Sequence, residues 1–418
     1  MLAATATLAL SAGAFAAEIS ITCGSVGAEQ DLCKKNVADW EKKTGHTVKI
    51  ISAPQSTTEQ LALYQQILSA GSSDIDVFQI DVIWPGILGT HLLDLSPFSK
   101  GVEKTHFEPI VANNTVGGQL VAMPWFTDAG LLYYRRDLIE KHGQKVPTTW
   151  EELAATAKVI QDAERAGGNA QFHGFVFQAK AYEGLTCNAL EWIDSFGGGS
   201  VVDGNGEITI NNPQAAQALD TAASFIGTIT PEGVLNYAEE ESRGVWQTGN
   251  AAFMRNWPYA YGLGNSDDSP IKGKFGVAPL PKGGANGKNT GTLGGWQLAV
   301  SKYSKNPEIA ADLVMFLTSQ EIQKERAIAG SYLPTIPALY QDADVLAKNP
   351  FMGELLGTFT SAVARPSRAT GAQYNRVSSE FWNAAHATLS KRSSGADAVA
   401  ALEASLKRIK RNAWNTGG

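Results

Sequence analysis

Apolar residues follow two alternating rhythms over the first hundred positions: short unbroken runs, then positions three or four apart. Ile19–Cys23 is a run of strand length, after which Cys33, Val37 and Trp40 fall on one face of a helix that Gly45 ends. Thr47–Ile51 reads as the next strand. Leu61, Tyr64 and Leu68 form the inner face of a second helix, stopped by Gly71, and Val77–Ile80 is a strand ending at Asp81. Such alternation predicts an α/β sheet with parallel strands. Ligands of these sheets lie beyond the carboxyl ends of the strands, where Asp81 and the segment after Cys23 would stand.

The pattern restarts near Asp128, as a second lobe would. Thr149 and Glu152 make a capping box, with Leu153, Ala157 and Ile160 as the inner face of the helix behind it. Residues 197–213 read as a turn-rich hairpin before a helix that buries Leu219, Ala223 and Ile226. A glycine-rich link, 282–295, precedes a strand expected at Trp296–Ser301, which returns to the first lobe. Ile309, Leu313 and Phe316 or Leu317 mark another amphipathic helix, and two late helices are expected around Tyr374–Leu389 and Ala396–Trp414. The chain has no internal repeat.

Length supports the division, because 418 residues exceed one hydrophobic core. Hydrophobic residues at 44% and charged residues at 18% are those of an ordinary globular protein, and the net charge of −7 argues against a nucleic-acid partner. The basic residues Lys407, Arg408, Lys410 and Arg411 read as a solvated helix C-terminus. Residues 1–17, ending in Ala14-Phe15-Ala16, have the small-residue, apolar character of a secretory leader cleaved near Ala16 or Ala17. Its lack of a positive start raises the expectation of a true translation start upstream of Met1. No other segment is apolar over a bilayer's thickness, so a periplasmic, non-spanning protein is expected. Export also makes a Cys23–Cys33 disulfide the expected pairing, with Cys187 left as a buried small hydrophobe. No Cys/His cluster suggests a metal, the six histidines are scattered, and the phosphate-binding GxxxxGK[ST] pattern is absent, so no cofactor is expected.

Chemistry concentrates in GNAAFMRNWPYAYG (249–262) and TLGGW (292–296). Trp257, Tyr259, Tyr261 and Trp296 stand among glycines, where flat aromatic faces make a platform for the C–H face of a sugar ring. Any one of these aromatics alone reads equally well as core or turn.

The chain resembles the extracellular sugar-binding proteins of ABC importers, the maltose-binding-protein family, and is most similar to its trehalose/maltose branch. The strings that carry the likeness are DVFQIDVIWPG (76–86), PWFTDAGLLYYRRDL (124–138), TWEEL (149–153), QTGNAAFMRNWPYAYG (247–262), GVAPLP (276–281), LGGWQLAVSKYS (293–304) and VARPS (363–367). The resemblance implies an α/β, two-lobe periplasmic-binding-protein fold, each lobe a mixed sheet flanked by helices. Lobe I would comprise 18–127 plus 293–335 and lobe II 128–292 plus 336–418, with the ligand in the cleft between them. It further implies that Glu29, Asp81 and Asp128 accept hydroxyl hydrogens, that Arg365 offers a planar donor fork, and that Phe126, Trp257, Tyr259 and Trp296 clamp the sugar. Gly294 and Gly295 would bring backbone amides close.

Structural alternatives stand beside these roles: Asp81 as a cap for the turn into Trp84-Pro85, and Arg365 as an internal ion pair. Arg255, Asn256 and Trp84 read as structural, and Glu239–Glu241 as a solvated charge run before a helix. Two departures from relatives are visible: STTEQLALYQQ (56–66) lacks an arginine common there, and Phe126 stands where tyrosine is frequent. The implied function is capture of an α-glucoside disaccharide such as trehalose, maltose or sucrose. A monomer would deliver it to an inner-membrane ABC permease without altering it. The alternatives are an exported glycoside hydrolase, with Asp81 and Asp128 as its carboxylates, and the same fold holding a polyamine or oligopeptide.

Overall fold

The computed structural model describes residues 16–284, 286–411 and 414; the leader expected at 1–17 lies, but for its last two residues, outside them. The chain opens with β1 (Glu18–Cys23), α1 (Glu29–Thr44), β2 (Thr47–Ser52), α2 (Thr57–Ser69) and β3 (Val77–Asp81). Leu32, Cys33, Val37 and Trp40 are buried on one face of α1, and Gly45 ends it in the left-handed conformation with φ 77°. Two more strands complete this sheet: β4 (Met123–Ala129) and, far along the chain, β9 (Leu293–Val300). The order is β2-β1-β3-β9-β4. The pairings of β1 with β2 and β3 are parallel, but β9 runs antiparallel to both its neighbours, so the sheet is mixed.

The second sheet contains β5 (Leu131–Arg135), β6 (His173–Val176), β7 (Ala251–Asn256) and β8 (Phe275–Pro279), in the order β8-β5-β7-β6. Its helices include α3 (Trp150–Ala166), α4 (Glu183–Ser195), α5 (Pro213–Phe225) and α6 (Glu239–Gln247). The capping box of α3 is formed: Glu152 N–H donates to Thr149 Oγ1 at 3.1 Å, and Glu152 Oε2 accepts from Thr149 N–H at 3.3 Å. After β9 come α7 (Pro307–Leu317), α8 (Gln320–Gly330), α9 (Tyr374–Leu389) and α10 (Gly395–Lys410). Trp150, Phe175, Phe177, Trp192, Phe225 and Phe381 build the largest core, between the second sheet and its helices. A separate cluster of Trp40, Val37, Leu313 and Leu317 covers the first sheet.

Three boundaries differ from the sequence reading. β9 begins at Leu293, because the glycines counted as linker pair in register with β4. The buried face of α5 is Ala215, Ala218, Leu219, Ala222 and Phe225; Ala223 lies one position off that stripe. α10 stops at Lys410, and Trp414 instead donates its Nε1–H to Gly206 O at 2.7 Å.

The crossings between the sheets lie close together. β4 passes into β5 through Gly130, the return enters β9 through Gly291 and Thr292, and a third segment runs beside them. Val363 N–H donates to Gly291 O at 2.9 Å, and Leu293 N–H to Val363 O at 2.8 Å.

Candidate functional site

A cavity opens between the two sheets. One wall is set by strand register. Trp296 pairs with Asp81 on one side and with Phe126 on the other, and Gly294 pairs with Asp128. Asp81, Phe126, Asp128 and Trp296 therefore reach the cavity from adjacent strands. The glycine pair is required here. Gly295 has φ +121°, and a Cβ on Gly294 would lie 3.2 Å from the Trp257 ring. Glu29, the first residue of α1, enters from beyond the end of β1 and is 5% exposed. It fits because position 24 is glycine, where a Cβ would fall 1.8 Å from Glu29 Oε2. The expected Cys23–Cys33 disulfide is present, with its Cα atoms 6.4 Å apart, and Cys187 is free and buried.

The opposite wall comes from helix starts and a loop. Trp257 and Tyr259 follow β7, and the Arg255 guanidinium lies 3.9 Å from the Trp257 ring centroid. Arg255 is held in turn by the buried Glu191 carboxylate, which matches its structural reading. Glu183 starts α4. Its Oε1 accepts from Arg365 Nη1 at 2.9 Å and from the Tyr374 hydroxyl, and its Oε2 accepts from Ser378 Oγ at 2.6 Å. Arg365 Nη2 also donates to Asp81 Oδ1 at 2.7 Å, so one buried guanidinium bridges carboxylates of both walls.

The alternative roles for Asp81 and Arg365 are thus realised in the geometry while both still face the cavity. Ile83 N–H donates to Asp81 Oδ1 at 3.1 Å, capping the turn into Trp84. Among the described residues nothing donates to Asp81 Oδ2.

The reading of Glu239–Glu241 as a solvated run is corrected. These residues are the first turn of α6, where carboxylates meet the positive end of the helix dipole. Glu239 lines the cavity, accepting from the Tyr182 hydroxyl at 2.7 Å and from Trp257 Nε1–H at 3.3 Å. Glu240 accepts from the Tyr259 hydroxyl at 2.7 Å. Only Glu241 is exposed.

Glu29, Asp81, Phe126, Asp128, Trp257, Tyr259, Gly294, Trp296 and Arg365 line this cavity as expected, whereas Tyr261, expected in the aromatic platform, packs against Phe275 and Phe351 instead. Glu183, Glu239, Cys187, Thr57 and Tyr332 line it too and were missed. The local sequence offered no clean signal for Glu183, since α4 mixes Asn188, Glu191 and Asp194 with its apolar residues, and only the fold shows the helix buried from end to end. A charge at the start of such a helix must find internal partners. Nothing in the local sequence points to Tyr332.

The carboxyls are electrostatically strained. Burial lifts Glu29 to about 7, against the lowering effect of Arg326. Asp128 is pushed well above the usual carboxylate range by burial, then by the negative charges of Glu29 and Asp81. Burial also raises Glu183 and Glu239. For Arg365, burial pulls the pKa down, and the facing Asp81 with its neighbours more than reverses this. Ionising these carboxyls therefore carries an unusual desolvation cost, which a ligand rich in hydroxyl donors would offset. Among the described residues no cluster could hold a metal ion, and no helix is long and apolar enough to cross a membrane.

Two mixed sheets flanked by helices, with a polar cavity between them and crossing segments gathered at one edge, define the two-lobe periplasmic-binding-protein fold. Residues 27–324 match the family described as bacterial extracellular solute-binding protein, and the chain belongs to that family. A probable ABC transporter-binding protein of Deinococcus radiodurans is 55% identical over 416 residues, 99% of each chain. Maltose-bound MalE3 of T. maritima superposes with a TM-score of 0.89 at 43% identity, covering 94% of this chain and 100% of that one. The maltodextrin-binding protein MdxE of Bacillus subtilis is 25% identical over 377 residues, 88% of this chain and 85% of its own. The chain is accordingly a substrate-binding component of an ABC transporter.

Proposed function

We propose that this protein captures an α-glucoside disaccharide of the trehalose, maltose or sucrose type in the periplasm and delivers it, chemically unchanged, to an inner-membrane ABC permease. The observation that carries this reading is the pairing of desolvated carboxylates with two half-buried indoles, Trp257 and Trp296, across one cavity. A sugar ring offers apolar faces to the indoles and hydroxyl donors to Asp81, Asp128 and Glu29. The likeness to a maltose-bound relative supports it. We assign 18–127 plus 293–335 to lobe I and 128–292 plus 336–418 to lobe II. Closure of these lobes around the ligand is the signal the permease reads. The carrier acts as a monomer, and residues 1–17 direct its export.

The excess of carboxylates over Arg365 at the wall would also suit a diamine, so the test must separate the two ligand classes. Native mass spectrometry of undialysed protein is expected to show a disaccharide mass. Calorimetry should then give a dissociation constant of about 1 μM or lower, near −8 kcal/mol. A bound diamine would overturn the reading. Release of free glucose on long incubation would point to a glycoside hydrolase instead.

A further inference from the structure

Three guanidiniums around the cleft are matched to carboxylates: Arg365 to Asp81 and Glu183, Arg255 to Glu191, and Arg243 to Glu240. Arg326, on α8, is not. It is fully buried, and its Nε, Nη1 and Nη2 have no hydrogen-bond partner among the described residues. Rings enclose it instead. Its guanidinium carbon lies 4.0 Å from the Trp125 ring centroid, 4.8 Å from that of Tyr332 and 5.4 Å from that of Phe126. Phe126 and Tyr332 meet edge to face at 4.9 Å and line the cavity, whereas Arg326 does not. The charge therefore sits one layer behind the wall. Aromatic faces stabilise a buried cation in part, but its unpaired donor edges remain unfavourable. An arginine that gains so little from hydrogen bonds acts through its field, which carries further in a medium of low dielectric.

That field falls on Glu29. Among the charges facing this carboxyl, Arg326 favours its ionised form and Glu240 of α6 opposes it. Asp128 of β4 is a second carboxyl held above its ordinary range, while burial keeps Tyr64 of α2 and Tyr332 neutral. Gln79 of β3 donates to Glu29 Oε1 from 3.5 Å. Burial outweighs the favourable contacts and leaves Glu29 at about 7, so a small added stabilisation of the anion decides its state. Hydroxyl donors of a sugar would supply it. We infer that Arg326 is a positioning residue for Glu29: from behind Phe126 and Tyr332 its charge readies that carboxyl to ionise as hydroxyl donors arrive, so that capture of the sugar expels a proton from the cleft. The proton passes from the Glu29 carboxyl to solvent, and the carboxylate becomes the acceptor. The inference rests on the α-glucoside reading above.

The test is calorimetric titration of the full chain with trehalose, maltose and sucrose at pH 7, in two buffers of different ionisation enthalpy, which counts the protons released on binding. The wild type is expected to release about half a proton with any sugar that binds, and to lose roughly tenfold in affinity between pH 7.5 and pH 6. Glu29→Gln should remove that release, and its difference from wild type separates Glu29 from Asp128 and Glu239. Arg326→Gln keeps a planar polar group without the charge, so the midpoint of its affinity–pH profile should move up by about one pH unit. Arg326→Lys, which keeps the charge without the plane, should stay near the wild-type midpoint. Circular dichroism confirms that each variant is folded, and the wild-type measurement needs none of them. Binding without proton release in the wild type, or a wild-type midpoint in Arg326→Gln, overturns the inference while leaving disaccharide capture standing. Failure of all three sugars to bind overturns the α-glucoside reading, and the inference with it.

Discussion

The two walls of the cleft are built by different means. On the first-lobe wall, backbone register does the positioning: Asp81, Phe126, Asp128 and Trp296 are neighbours because β3, β9 and β4 are paired strands. On the second-lobe wall, Glu183, Glu239 and Trp257 come from two helix starts and a loop, and side chains hold them together: Tyr182 and Trp257 on Glu239, Tyr374 and Ser378 on Glu183. A ladder of backbone bonds tolerates substitution of any one side chain. A web of side-chain bonds among buried charges does not. The first wall should therefore lose affinity when altered, and the second should lose stability or order as well.

The largest effect is expected where the walls join. Arg365→Met leaves Asp81 and Glu183 buried without their shared cation, and should cost about 3–5 kcal/mol of stability. Urea unfolding with an unchanged m-value measures it; a loss below 1 kcal/mol would show that the bridge is not what ties the walls together.

Glu29 comes next. Its pKa is raised in the folded protein from the ordinary 4.5 to about 7, so between these values the folded state holds the extra proton. Stability must then fall as pH rises through that window, by up to about 3 kcal/mol. Glu29→Gln removes this slope, and the difference between wild type and variant, measured without sugar from pH 4.5 to 8, isolates it from the other raised carboxyls. Parallel curves would mean that Glu29 titrates alike in the folded and unfolded chains.

On the first wall, Asp81→Asn should weaken binding by about 1.5–3 kcal/mol and reorder trehalose, maltose and sucrose, since a charged acceptor becomes part donor. On the second wall, Trp257→Ala should cost every α-glucoside about 1–3 kcal/mol with little change in preference, and should also lower stability, since Glu239 and Arg255 lose their shared ring. Wild-type affinity in both would place the sugar elsewhere. The smallest effect is expected from Glu239→Gln, about 0.5–1.5 kcal/mol of affinity, because the amide still accepts one of its two hydrogen bonds and merely loosens Trp257. A loss larger than that of Trp257→Ala would mean that Glu239 holds the ligand itself.

The same contrast explains what could be read from the sequence. Asp81 stands at the end of an apolar run, so its place beyond a strand follows from alternation alone, and the glycine pair before Trp296 marks a close approach in the same local way. Glu239 is one of three consecutive glutamates, a pattern that is solvated in most chains. What buries the first and leaves the third exposed is the direction of α6 relative to Trp257 and Tyr182, residues 18 and 57 positions away. Tyr332 reaches the cavity only because α8 packs beside α1. The start of β9 was misplaced because glycine signals linker locally, yet here it serves the pairing of β9 with β4.

The disulfide at the mouth of β1 bears on how the protein must be handled. Ala28 precedes α1 and offers no side-chain cap to the first turn of that helix, the turn that carries Glu29. The Cys23–Cys33 bond ties the turn to the end of the strand by a covalent staple instead. Material made in a reducing cytosol would lack that staple and is expected to hold one of the cleft carboxylates more loosely. A weak titration of such a preparation would report the redox history of the sample and say nothing about the choice of sugar.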